Sequence, residues 1–316
     1  MLLVGTVFSG IGAPEQALKN INIPHIVKWA CDIDKKCKES YFLNHNCGQW
    51  LDDITKIDLD NLPYVDLFVF GFPCQDVSIA GKQNLEGGRT ELVKYSLNII
   101  DKILPKYILF ENVKGLLSNK FTPFFEYIKD RIEKNYNFRL LELNSKDFCV
   151  GQNRERIFGI GVRKDLNINP DFFFFKKNIN FAELLEDNVD NKYFLPEEKV
   201  SKILDLCKNK QKNFRLENKF GELKQANKNG FFGDKKIRYS GTMWCQNCID
   251  IHGIIYPDGK TMRRLTPREC ARMHGFPDNF ILNSKDSIAY RQLGNTITVP
   301  ILEYIFSILL VNTLDN

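Results

Sequence analysis

The sequence predicts an α/β fold: a Rossmann-like, mostly parallel sheet with helices on both faces, joined to a smaller second domain. Three observations predict it. From Met1 to about Val162, short apolar runs alternate with amphipathic stretches, the pattern of βαβ units. A glycine turn, Gly10-Ile11-Gly12, follows the first apolar run and opens a helical stretch. Near Asn167 the character changes: Asn and Lys become frequent and apolar periodicity weakens until an apolar helix returns late in the chain.

Taken in order, Leu3 to Phe8 reads as the first strand, and Pro14 suits the first helical position of the stretch to about Leu18. His25 to Cys31 is the second strand, closed by Asp32-Ile33-Asp34, and Lys35 to His45 is a helix. Leu67 to Phe70 is a short buried strand that Gly71 and Pro73 force into a loop. Leu92 to Leu104 is a helix ended by Pro105, and Tyr107 to Phe110 is a strand running into Glu111-Asn112. Pro123 to Asn135 is helical, with strands at Phe138 to Leu143 and Ile157 to Val162. In Leu265-Thr266-Pro267-Arg268-Glu269, Thr266 and Glu269 have capping-box spacing, which starts a helix. The last helix, about Pro300 to Leu314, should bury its apolar face against the first domain.

Composition narrows the class. The 316 residues, 43% hydrophobic and 26% charged, suit one or two ordinary globular domains. The net charge is +5, and residues 176–238 hold 15 Lys/Arg against 10 Asp/Glu, the same excess. A modestly basic segment fits either a polyanion or a solvated face. Nine cysteines without scaffold spacing indicate a reducing compartment. Cys245 and Cys248 form a lone pair, so no metal site is expected. The first residues read as a strand rather than a signal peptide, and Ile301 to Val311 is too short to span a membrane.

Two stretches could do chemistry. Phe8-Ser9-Gly10-Ile11-Gly12 with Asp32 after the next strand is the geometry of a nucleoside site: close backbone approach at the glycines, a carboxylate for ribose. Glu15 stands where a dinucleotide fingerprint has its third glycine, and near a helix N-terminus it should repel phosphate. A nucleoside without phosphates fits better. Cys74, in Gly71-Phe72-Pro73-Cys74-Gln75, lies just past a strand's carboxyl end, where open α/β sheets bind ligands. By itself it is either a small buried hydrophobe or a nucleophile. An NAD-dependent oxidoreductase would use the turn and Asp32 but leaves Pro73-Cys74-Gln75 unexplained.

These stretches, with Glu111-Asn112-Val113, Gln152-Asn153-Arg154-Glu155-Arg156, Arg264-Leu265-Thr266-Pro267-Arg268-Glu269 and Gln292-Leu293-Gly294-Asn295-Thr296, occur in one order. The series resembles the cytosine-C5 DNA methyltransferases of bacterial restriction-modification type. The resemblance implies a class I S-adenosylmethionine-dependent fold with a target-recognition domain. It divides the chain into a catalytic domain at 1–178, a recognition domain at 179–262 and a return segment at 263–316.

It also implies roles. Cys74 matches the nucleophile, Glu111 the carboxyl group that engages the cytosine ring, and Arg154 and Arg156 the arginines that help hold the target nucleotide and the active-site carboxylate. Phe8, Ser9, Gly10, Ile11, Gly12, Asp32, Ile33, Asp53, Ile54, Phe72 and Asn295 match the pocket for S-adenosyl-L-methionine, which leaves as S-adenosyl-L-homocysteine. Gln75, Ile79, Arg89 and, loosely, Thr242 match DNA contacts. The implied partner is duplex DNA with a target cytosine, and a separate cognate restriction endonuclease is a second candidate. A cytoplasmic, nucleoid-associated monomer follows. A tRNA-directed relative and a catalytically silent DNA-binding relative are the alternatives.

Overall fold

The computed structural model describes residues 1–73, 92–148, 150, 152, 154–173, 184–198, 200–201, 223–227, 230–232, 252–255 and 262–310. The chain divides into two compact units. One comprises residues 1–144, 155–174 and 301–316, the other residues 145–154 and 175–300.

The first unit is built on a seven-stranded sheet. Its strands are β1 (Leu2–Val7), β2 (His25–Cys31), β3 (Gln49–Leu51), β4 (Leu67–Phe70), β5 (Tyr107–Val113), β6 (Tyr136–Asn144) and β7 (Glu155–Arg163). They lie in the order β3-β2-β1-β4-β5-β7-β6. Strands β1 to β5 pair in parallel, whereas β7 runs antiparallel to both β5 and β6. The order reverses between β1 and β4, and the crevice outside the carboxyl ends of such a pair is where these sheets bind ligands. Strand β3 has no readable period at three residues, which is why the sequence does not announce it.

Helices α1 (Ala13–Asn20), α2 (Lys35–Phe42), α3 (Val93–Ile103) and α4 (Thr122–Glu133) connect the strands. Strand β4 is buried at all four residues, so its run Leu-Phe-Val-Phe is continuous rather than alternating. Its rings join a chain of aromatic contacts: Trp29 to Phe68 at 5.5 Å, Phe70 to Phe110 at 5.6 Å, Phe110 to Phe138 at 6.1 Å. Each fully buried ring contributes about 2–3 kcal/mol. Gly159 of β7 makes room for Phe110, because a Cβ there would lie 2.1 Å from the ring.

The second unit holds an antiparallel sheet ordered β11-β10-β8-β9, from β8 (Leu223–Asn227), β9 (Gly230–Phe232), β10 (His252–Ile255) and β11 (Met262–Arg264). The capping box forms as expected and starts α5 (Pro267–Arg272). Around it, Glu269 accepts from Arg263 Nη1 and Nη2 at 2.8 and 2.6 Å, and from the backbone N–H groups of Thr266 and Glu186. Arg263 is 2% exposed and Glu269 0%, so this charge pair survives burial only because those donors saturate the carboxylate.

Helix α6 (Asp286–Asn295) has no counterpart among the expected elements; α7 (Val299–Leu310) is the expected last helix, of which residues 311–314 lie outside the described ones. From Ile301 onward α7 belongs to the first unit, where Asn20 Nδ2 donates to Glu303 Oε1 at 2.6 Å. Residues 286–310 are apolar and long enough to cross a membrane by composition, but 61% of the most apolar stretch is buried within the protein.

Candidate functional site

The cradle at the end of β1 is set by backbone geometry. Phe8, Gly10 and Gly12 all have positive φ, at 56°, 55° and 85°. Gly12 N donates to Ser9 O at 3.0 Å, which closes the turn and makes Gly12 the N-cap of α1. A Cβ on Gly12 would lie 2.3 Å from His45, whereas the space beside Gly10 is open. Gly10 N donates to Asp32 Oδ2 at 2.8 Å and Asp34 N to Oδ1 at 2.9 Å. Those bonds use about half of the carboxylate's four acceptor positions and leave the rest for a ligand. Burial raises the Asp32 carboxyl above its ordinary range, partly offset by the same two N–H groups. Next to it Ile33 is 77% exposed, an apolar surface without cover.

Other residues expected at the cofactor pocket sit differently. Asp53 caps the short turn Ile54–Lys56, accepting from Thr55 N and Oγ1 at 3.0 and 2.8 Å, and these bonds hold its carboxyl below the usual range. Ile54 and Phe72 are core residues, packed among Val65, Phe70 and Phe110. Asn295 ends α6 in the second unit and is exposed.

Glu15 corrects an expectation. It does not face outward against phosphate but is fully buried beneath the turn. Thr6 Oγ1 and Tyr41 Oη each lie 3.0 Å from its Oε1, and Thr6 Oγ1 lies 2.7 Å from Ser9 Oγ. Ser9 Oγ lies 3.1 Å from Cys31 O and accepts from Cys31 N at 3.0 Å. No sequence signal shows which way the first turn of a helix faces, and tertiary packing against β1 and α2 decides it.

At the neighbouring lip, the β4–β5 pairing ends with Phe70 opposite Phe110, and β5 runs on to Val113. Beyond them, Asn112 is buried and its Nδ2 donates to Phe72 O at 3.1 Å. This bond pins the chain that runs through Pro73 toward Cys74. The sequence offered Asn112 only as Glu111's neighbour. On the other face of β5, the register pairs Glu111 with Phe158 and Val113 with Arg156. Glu111 and Arg156 are therefore diagonal neighbours on one face. Arg156 Nε lies 3.1 Å from Glu111 Oε1, and both side chains are 13% exposed. The pair is in charge contact, and Oε1 makes no hydrogen bond beyond it. Arg154, two residues earlier, belongs to the second unit, is 6% exposed, and donates from Nη2 to Thr296 O at 3.3 Å.

Thus the structure gathers Phe8 to Gly12 with Asp32, and Glu111 with Arg156. Cys74, Gln75, Ile79, Arg89 and Thr242 lie outside the described residues. Among the described residues no cluster of His, Cys, Asp or Glu could hold a metal ion.

Comparison with known proteins decides the family. The profile of the C-5 cytosine-specific DNA methylases matches residues 4–310. The chain belongs to that family. Its activity class is therefore methyl transfer to carbon 5 of cytosine in DNA. Among its relatives, the type II methyltransferase M.SsoII of Shigella sonnei is 33% identical over 98% of this chain and 80% of its own length. The type II methyltransferase M2.ScrFI of Lactococcus lactis subsp. cremoris is 37% identical over 92% of this chain and 80% of its own. In fold, the chain resembles a DNA modification methyltransferase from an Escherichia coli prophage, with TM-score 0.72, 19% identity and full coverage of both chains. Dnmt2 of S. pombe gives the same TM-score at 21% identity, again with full coverage of both. The mostly parallel sheet expected of a class I methyltransferase is the one present.

Proposed function

We propose that this DNA methyltransferase moves the methyl group of S-adenosylmethionine to a cytosine flipped out of a specific duplex sequence, through a covalent adduct on Cys74. The observation that carries the reading is the shared lip of β4 and β5. The chain held by Asn112 reaches Pro73 beside the strand that presents Glu111, and one peptide bond takes it to Cys74.

The cradle fits the cofactor. Gly10 has open space beside it, Asp32 keeps acceptor positions suited to ribose hydroxyls, and Ile33 offers an apolar face suited to adenine. When bound, the cofactor supplies an electrophilic methyl group on a sulfonium. Phe8, Ser9, Ile11 and Gly12 would form the wall around it, with Asp53, Ile54, Phe72 and Asn295 as outer supports.

Carbon 5 of cytosine is too electron-poor to attack a methyl group unaided. The Cys74 thiolate adds to carbon 6, and the displaced electron pair makes carbon 5 nucleophilic while charge builds on ring nitrogen 3. Glu111 donates to, or shares a proton with, that nitrogen. Arg156, 3.1 Å from Oε1, fixes the carboxyl group in place. After methyl transfer a base removes the carbon-5 proton, and elimination returns the thiolate. Because a stacked base cannot be reached, the cytosine must leave the duplex. Gln75, Ile79 and Arg89 would contact DNA after Cys74, Arg154 would help hold the target nucleotide, and Thr242 would act within the recognition unit.

Incubation with duplex DNA carrying 5-fluorocytosine and labelled cofactor tests the reading, since the fluorine blocks the final elimination. A stable labelled adduct is expected, lost in Cys74→Ser. No adduct with active wild-type enzyme would overturn it, and labelling of tRNA in preference to duplex DNA would redirect the substrate.

A further inference from the structure

Beneath the glycine turn lies a chain of buried hydroxyls whose hydrogens can be counted. Thr6, Ser9, Cys31, Glu15 and Tyr41 are all buried. Tyr41 has one hydroxyl hydrogen and one partner, Glu15 Oε1, so it donates there. Three contacts remain: Glu15 to Thr6 at 3.0 Å, Thr6 to Ser9 at 2.7 Å, and Ser9 to Cys31 O at 3.1 Å. Each needs one hydrogen. Thr6 and Ser9 carry one each, and the Cys31 N–H is already spent on Ser9 Oγ. The Cys31 carbonyl also accepts from Ser9 N at 3.0 Å, so an ionised Glu15 forfeits only the Ser9 hydroxyl bond to it, but it would leave a charged Oε2 buried with no donor. A protonated Glu15 completes it in one direction: Glu15 to Thr6, Thr6 to Ser9, Ser9 to the Cys31 carbonyl. In that direction all three contacts are hydrogen bonds, and the orphaned Oε2 is a neutral carbonyl oxygen rather than a buried charge.

We infer that Glu15 holds a proton in the folded protein and is a positioning residue for the cofactor cradle, acting through Thr6 and Ser9 on the backbone at Cys31. The chain ends one residue before Asp32 and passes through Ser9, whose neighbour Gly10 donates to Asp32. It therefore fixes the distance between the glycine turn and the carboxylate assigned to ribose. The inference rests on the cofactor reading above for its consequence, though not for the proton.

The surroundings agree. Burial drives the Glu15 carboxyl above its ordinary range, with its own backbone N–H, Tyr41, Thr6 and Lys19 offsetting this in part. Lys19 stands one helical turn on. From α2 and the segment after it, Tyr41, His45 and Cys47 face the same region, and none is a cation near neutral pH. His45 is pushed down to about 3 by burial, Cys47 is pushed up to about 11, and the Tyr41 phenol is raised further.

The test pairs spectroscopy with binding on the full chain. Infrared difference spectra of wild type against Glu15→Gln, with 13C-labelled glutamate, should show a buried carboxylic-acid carbonyl band near neutral pH. Titration calorimetry with S-adenosylmethionine should find Thr6→Val and Glu15→Ala weakened roughly tenfold, or ~1.4 kcal/mol. Their kcat at saturating cofactor should change by less than about twofold. Glu15→Gln should bind as wild type, because its uncharged amide can donate to Thr6 as the acid does, and it should abolish the alkaline loss of affinity expected of wild type. Absence of the band, or Glu15→Gln as weak as Glu15→Ala, would overturn the inference. Thr6→Val is nearly isosteric and guards against a merely unfolded variant. A band in a folded protein that binds no S-adenosylmethionine would uphold the proton and overturn the cofactor reading.

Discussion

The two lips of the sheet's switch point are held by opposite means. At the end of β5, Glu111 and Arg156 form a partly exposed charge pair held by one ion contact at 3.1 Å. At the end of β1, the turn is fixed by backbone N–H groups, positive φ angles and a buried hydroxyl chain, with no cation against Glu15 Oε1. The carboxyl group proposed to react has to change its bonding during turnover, which a single ion contact allows. A cradle has to stay the same throughout, so it is built from groups that cannot swing. The difference separates chemistry from placement.

The sharpest way to break this comparison is at the reacting lip. Glu111→Gln should lower the single-turnover methylation rate by roughly 10²–10⁴-fold, about 3–5 kcal/mol of barrier, while cofactor affinity holds. Equal loss of cofactor affinity would mean that the two lips are not separable. At the cradle, Gly12→Ala should cost about 2–4 kcal/mol in urea denaturation, from the positive φ and the collision with His45. Asn112→Ala should cost about 1–2 kcal/mol and slow the adduct-forming step, because the Phe72 carbonyl loses its buried donor. The pH dependence comes next. Glu15 has a raised folded value, so its contribution to stability is full below the ordinary carboxyl range. It is lost as pH rises through the folded value, and Glu15→Gln should flatten that slope. Smallest of all, Lys36→Ala removes an exposed pair with Glu39 and should change stability by less than about 0.5 kcal/mol.

Local signals explain what could be read in advance. Strand β2 and the Thr266–Glu269 capping box depend on residues within a few positions of each other, and the sequence delivered both with the right bounds. Motif order likewise pointed to Glu111 and Arg156 as partners. What escaped depends on contacts far apart in sequence. Whether Glu15 faces a ligand or the interior is decided by Thr6 and by Tyr41, 26 positions on. Asn112 gains its meaning from Phe72, 40 positions back. Strand β3 exists because Trp29 to Cys31 offer it an edge, not because of its own three residues.

The division of the chain has a practical corollary for anyone wishing to dissect it. Residues 145–154 depart for the second unit between two strands of the first, and the polypeptide changes unit again after 174 and after 300. Neither half can be obtained by cutting at one place. Expression of either unit alone would break the chain between β6 and β7 or remove residues 301–316 from the first unit, so dissection calls for a permuted or co-expressed design rather than a simple truncation.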